Sequence, residues 1–196
     1  MNELEAALRR VAEDLAAHGA NWALIGGFAV SARTEPRFTR DVDIAVAVDD
    51  DIAAEALVRS LMSAGYHLLV TVDHVVAERL ATVRMASPTA GDTDVLVDLL
   101  FASSGIEPEI AAAAELVEIV PGLTVPTATT GHLIALKLLA RDDHRPQDVT
   151  DLRLLAAAAS DTDRDTARQA VQLIEARGFS RDRDLLAALD ALDGSG

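Results

Sequence analysis

The stretch DVDIAVAV, residues 41 to 48, constrains this chain more than any other. Its β-branched residues and two-residue alternation predict a strand, and alternate side chains of a strand share a face. Val42, Ile44, Val46 and Val48 then turn into a core, while Asp41 and Asp43 point together to the other side. Two neighbouring carboxylates repel, and loss of water around them adds to the cost. A divalent cation relieves both penalties, and hard oxygen ligands suit Mg²⁺ or Mn²⁺. The competing reading is a solvated face of an edge strand, which a pattern as short as D-x-D also fits.

Two further features favour the cation. TDVLVDLLFA, residues 93 to 102, reads as a second strand with Asp94, Leu96, Asp98 and Leu100 on one face. Asp98 lies deepest in that apolar run, where an unpaired carboxylate is costly. If the two strands are neighbours, Asp98 joins Asp41 and Asp43, whereas Asp94 lies near the strand start and faces solvent. Upstream, the apolar run WALI breaks at Gly26 and Gly27 and a short helix, FAVSAR, follows. Backbone N–H groups at such a turn can approach an anion without side-chain obstruction. The spacing is neither a dinucleotide fingerprint nor a P-loop. A Gly-Gly turn beside a carboxylate trio describes a site for a metal-bound polyphosphate.

The rest of the chain divides in two. Residues 3 to 18 have a helical apolar period, and a further helix in DDDIAAEALVRSLMSAG closes at Gly65. YHLLVTV and RLATVRMA predict two strands, with a polar turn near Asp73 and His74. EPEIAAAAELV reads as a helix and VEIVPGLTVP as a short β segment. From Thr129 onward come four helical stretches in a row. The expected division is an α/β core over residues 1–127 and a helical subdomain over residues 128–196, packed on it.

The combination of Gly26-Gly27, Asp41-Val42-Asp43 and Asp98 resembles the nucleotidyltransferase superfamily that includes DNA polymerase β. RFTRDVDI, residues 37 to 44, is similar more narrowly to the R-x-T-x-D-[IVL]-D-[IVL] stretch of the AbiEii/MenT toxins. Those are the nucleotidyltransferase halves of bacterial toxin–antitoxin pairs. HLIALKLLARDDHRPQDVTDLRLL resembles that family's helix pair, with Lys137, Arg141, Asp148 and Asp151 in the matching positions. The implied fold class is α+β: a polymerase β-like mixed sheet with helices, followed by a C-terminal helical bundle.

The resemblance implies transfer of a nucleotidyl group from an NTP to the 3′ end of tRNA, blocking translation, with a cognate antitoxin as protein partner. It implies metal binding by Asp41, Asp43 and Asp98, and nucleotide binding by Gly26, Gly27, Thr39, Arg40, Lys137 and Arg141. The catalytic set adds an acid from the second block, Asp148 or Asp151, with Asp151 preferred. The residues themselves agree in part: Lys137 and Arg141 are one helical turn apart and can reach one anion. Lys137 is also the single lysine among seventeen lysines and arginines, and a compact ammonium suits a point contact to phosphate.

A formal net charge of −15 argues against generic electrostatic binding of nucleic acid. Arg33, Arg37, Arg40, Arg141, Arg145 and Arg153 fall in the two motif blocks, so a local basic rim is expected on an acidic body. The chain has no cysteine, which excludes thiolate zinc sites and a cysteine nucleophile. No apolar run is long enough to span a bilayer, and a cytoplasmic protein without membrane partners is the expectation. The alternatives are transfer to a small molecule or a protein hydroxyl, and a non-catalytic, partner-binding member of the fold.

Overall fold

The computed structural model describes residues 3–74, 78–88, 95–141 and 146–193. Helix α1 (Glu3–His18) precedes β1 (Asn21–Ile25), α2 (Gly26–Arg33), β2 (Asp41–Ala47) and α3 (Asp51–Ser63). Strands β3 (His67–His74), β4 (Arg79–Ala86) and β5 (Leu96–Leu100) follow, then α4 (Glu107–Ala112), β6 (Glu115–Val120) and β7 (Leu123–Thr127). Helices α5 (Thr130–Ala140), α6 (Pro146–Ala158), α7 (Asp161–Ala176) and α8 (Leu185–Asp193) complete the order.

The seven strands form one mixed sheet, β3-β4-β5-β2-β1-β7-β6. β2 is antiparallel to β1 and parallel to β5, and β1 runs parallel to β7. Central strands are covered on their apolar faces: Val42, Ile44, Val97 and Leu99 are fully buried. α1 contributes Leu8, Val11 and Leu15 to the same core, each stabilising by about 1.5–3 kcal/mol when fully buried. The predicted alternation in β2 is therefore realised, with both aspartates on the uncovered side.

Helix α5 holds the centre of the helical part, packing against α2, α6, α7 and α8. Its N-cap is Thr129, whose side chain accepts from the His132 N–H, and Thr130 to Ala135 are all buried. This helix explains how a residue near its C-terminal end, Lys137, reaches the sheet's open face. No described helix is long and apolar enough to cross a membrane.

Two local expectations are corrected. The helix predicted in EPEIAAAAELV stops at Ala112, and Glu115–Val120 instead forms β6 in a hairpin with β7. Alanine-rich helical propensity loses there to strand pairing, as tertiary context permits. Asp73 and His74 lie in β3 and not in a turn, paired with Leu80 and Arg79.

Candidate active site

A cleft of about 650 Å³ opens where β2, the start of α2, α5 and α6 converge. Asp41 and Asp43 line it from β2, Gly26 and Gly27 from α2, Lys137 from α5 and Asp148 from α6. Sheet register sets its floor. Asp43 stands opposite Ile25 on one side and Asp98 on the other, and Asp98 stands opposite Arg84 of β4.

The two glycines are required by close approach. Gly26 has φ +62°, and a Cβ there would lie 1.9 Å from Asp43 Oδ2. A Cβ on Gly27 would lie 2.4 Å from Thr39 Oγ1. The Gly27 N–H donates to the Asp43 carboxylate. Burial is the main force raising Asp43, reinforced by the charges of Asp98 and Asp41. The Gly27 hydrogen bond and the charge of Lys137 oppose it, leaving a pKa of about 6.

Asp98 is already partnered. Arg84 donates through Nε to Oδ1 at 2.7 Å and through Nη2 to Oδ2 at 2.6 Å. Among the described residues, no three histidine, cysteine, aspartate or glutamate side chains form a ready-made metal cage. Asp41 and Asp43 nevertheless fit a hard divalent cation. Both are carboxylates on one strand face, both line the cleft, and their mutual repulsion is what a cation would relieve.

The second motif block forms an ion network. Lys137 Nζ lies 2.9 Å from Asp148 Oδ1 and 2.8 Å from Asp151 Oδ2. Asp151 is fully buried. It also accepts from Arg37 Nη2 at 2.8 Å and from Gln147 Nε2 at 2.9 Å. Burial pushes Asp151 up, but the bonds from Lys137 and Gln147 and the nearby positive charges hold it below its ordinary value. Asp148 Oδ2 is buried without a hydrogen-bond partner among the described residues. Both acids thus hold Lys137, and Asp148 is buried although it lies in the first turn of α6.

The expected arginine rim is corrected in three places. Arg33 donates to Ala128 O at 3.0 Å, to Thr127 O at 3.3 Å and to Glu115 at 2.7 Å, tying α2 to the hairpin. Arg141 lies just past α5, where its carbonyl accepts from Arg183, and it does not line the cleft. Arg153 is exposed on α6 away from the cleft. Arg145 and Asp94 lie outside the described residues. Arg37 and Arg40 do line the cleft, as does Thr39.

Four polar lining residues escaped the sequence reading. Arg84 comes from β4, and counting back through an antiparallel β4–β5 pairing would have placed it beside Asp98. Ser103 and Ser104 follow β5, their N–H groups held by Glu107 at 2.9 and 2.7 Å. Arg181, between α7 and α8, donates to Ser103 O at 3.2 Å; no local signal marks it.

A sequence model of the family described as "Nucleotidyl transferase AbiEii toxin, Type IV TA system" matches residues 7–193. No curated protein matches the sequence. Among solved structures, an antigenic nucleotidyltransferase-like protein from Paracoccidioides brasiliensis superposes with a TM-score of 0.56 at 20% identity, covering 96% of this chain and 93% of its own. The antibiotic-resistance factor ANT(2″)-Ia has a TM-score of 0.57 at 18% identity, with 97% of each chain covered. MenT4, a nucleotidyltransferase toxin from Mycobacterium tuberculosis, has a TM-score of 0.52 at 19% identity, over 87% of this chain and 65% of its own. The likeness is one of fold: the mixed sheet and helices of polymerase β-like nucleotidyltransferases.

Proposed function

The chain belongs to the AbiEii family of nucleotidyltransferase toxins, and from that premise we propose that it adds nucleotides from an NTP to the 3′ end of tRNA, with Mg²⁺ or Mn²⁺ and under restraint by a cognate antitoxin. The observation that carries the reading is the pair Asp41 and Asp43, facing a cleft that also holds the Gly26-Gly27 turn and Lys137. The volume, about 650 Å³, falls within the range of about 300–1,000 Å³ usual for small-ligand sites.

Asp41 and Asp43 would hold the cation, which supplies charge neutralisation for the triphosphate and the departing pyrophosphate. The remaining roles fall to this chain's own groups. The tight turn at Gly26 and Gly27 lets phosphate oxygens come close to backbone. Lys137, steered by Asp148 and Asp151 at 2.9 and 2.8 Å, presents its ammonium to the leaving phosphates. Asp98 accepts the proton of the acceptor hydroxyl as that oxygen bonds to the α-phosphorus and the bond to the β-phosphate oxygen breaks. Arg84 holds the Asp98 carboxylate in place through two hydrogen bonds. Catalysis of this kind is mostly positioning and electrostatics.

Each labelled NTP is to be incubated with Mg²⁺, total tRNA and either the wild type or Asp41→Ala. Label entering tRNA with the wild type alone supports the reading and identifies the base. No label in tRNA, with label entering an aminoglycoside or a protein offered in its place in parallel reactions, overturns the acceptor and keeps the chemistry.

A further inference from the structure

The chain has six aromatic residues besides histidine: four phenylalanines, one tryptophan and one tyrosine. Trp22, Tyr66, Phe101 and Phe179 are buried, and Phe28 is packed against the core. Phe38 is the exception, with 78% of its surface exposed, and it lines the candidate active cleft. An apolar ring left in water at the mouth of the cleft has no role in the core.

Its backbone is held while its ring is exposed. Arg37 Nη1 donates to Phe38 O at 3.1 Å, and the same guanidinium is ion-paired at 2.8 Å to the buried Asp151. On the other flank, Thr39 Oγ1 donates to Asp41 O at 3.3 Å, and its side chain fills the space against Gly27. The segment is therefore tied to α6, to β2 and to the glycine turn. The guanidinium carbon of Arg40 lies 5.6 Å from the centroid of the Phe38 ring, within cation–π range. A preorganised ring with a cation beside it suits a flat π system that carries phosphate.

We propose that Phe38, flanked by Arg40, is a stacking platform for a nucleobase at the mouth of the cleft. This rests on the nucleotidyl-transfer reading and names a contact within it. The base belongs either to the incoming NTP or to the terminal nucleotide of the acceptor. Stacking on an aromatic ring tolerates any base, because every base has a π face. A protein partner fits less well: Phe38 stands alone among Arg37, Thr39 and Arg40. The other large exposed apolar side chains among the described residues lie on α3, β3 and β6.

The test uses the full chain. Phe38→Trp places an indole at the cleft mouth, and the native Trp22 is buried. Its fluorescence is to be titrated with each NTP, with tRNA and with inorganic tripolyphosphate. Quenching by a base-bearing ligand but not by tripolyphosphate is expected. Phe38→Ala should weaken that same ligand about tenfold and leave tripolyphosphate affinity and Tm unchanged. Weakening of NTP alone assigns the platform to the substrate base, and weakening of tRNA alone assigns it to the acceptor.

Wild-type affinity of Phe38→Ala for both NTP and tRNA overturns the platform while leaving the transfer reading intact. So does loss of antitoxin binding with both ligand affinities unchanged, which would make Phe38 a protein contact. A wild type that binds base through Phe38 yet transfers no label keeps the platform and removes the transfer reading. A wild type that binds neither ligand removes both.

Discussion

Arg84 grips Asp98 across the β4–β5 pairing with two hydrogen bonds, of 2.7 and 2.6 Å. The guanidinium thereby neutralises the third acid of the cleft without a metal ion. Arg84→Ala leaves Asp98, 7% exposed, unpaired beside Asp43. We expect a loss of about 2 kcal/mol, below the roughly 3–5 of a fully buried pair because Arg84 is partly solvated. Thermal denaturation with Mg²⁺ and with chelator measures the consequence. The Mg²⁺ increment in Tm should be larger in Arg84→Ala than in the wild type; equal increments would show that Asp98 cannot join a cation site.

Gly26 separates a backbone requirement from a general glycine effect. Gly26→Ala combines φ +62° with a Cβ 1.9 Å from Asp43 Oδ2, so Asp43 must move. Nucleotidyl transfer is expected to fall at least about a hundredfold, in line with displacement of a positioned group. Gly19→Ala is the control: its φ is +73° but nothing lies within 4 Å. It should cost about 1 kcal/mol and leave transfer unchanged. Equal losses of activity in the two variants would contradict the argument.

Asp43 makes the site unstable at neutral pH. Its folded pKa of about 6 lies above the unfolded value of about 3.9, so the folded state binds the proton more tightly. The destabilisation is absent below about pH 4, grows as pH rises through this window, and is complete above about pH 6. Asp43→Asn removes it. In chelator at pH 7.5 the variant should be more stable than the wild type by about 1–2 kcal/mol, after allowance for solvent in the open cleft. The gain should vanish towards pH 4, and the same variant should lose transfer by orders of magnitude. A gain that is constant with pH would refute the electrostatic origin.

Asp151 works in the opposite sense. Its folded pKa is held below the ordinary carboxylate range, so its contribution is present above the unfolded value and lost as pH falls through the folded one. Asp151→Ala strands Lys137 and Arg37 and should cost about 3 kcal/mol by urea denaturation at pH 7. Asp148→Ala removes one contact of Lys137 and should cost about 1 kcal/mol. The gap between the two should narrow in acid. Equal costs at neutral pH would mean that the network is shared evenly.

Much of this was legible from residues alone, and the division follows a physical line. The alternation in residues 41–48 placed Asp41 and Asp43 on one face, because strand geometry is local. The break at Gly26-Gly27 and the helical period around Lys137 were local in the same way. The depth of Asp98 in its apolar strand marked it as a candidate and the family resemblance added Asp151, but the partner of Asp98, Arg84, could not be read from that strand.

The tertiary structure alone decided what those groups touch. Register across β4, β5 and β2 set Arg84, Asp98 and Asp43 in one row. The packing of α6 beside α5 made Asp148 a buried partner of Lys137. Ala112 to Val117 became part helix and part strand because β7 offered a pairing edge. Phe38 emerged as an exposed ring only when its loop had been anchored on both sides. A sequence determines through periodicity which face a side chain takes; the neighbour waiting on that face depends on chain crossings many residues away, and local pattern carries no record of them.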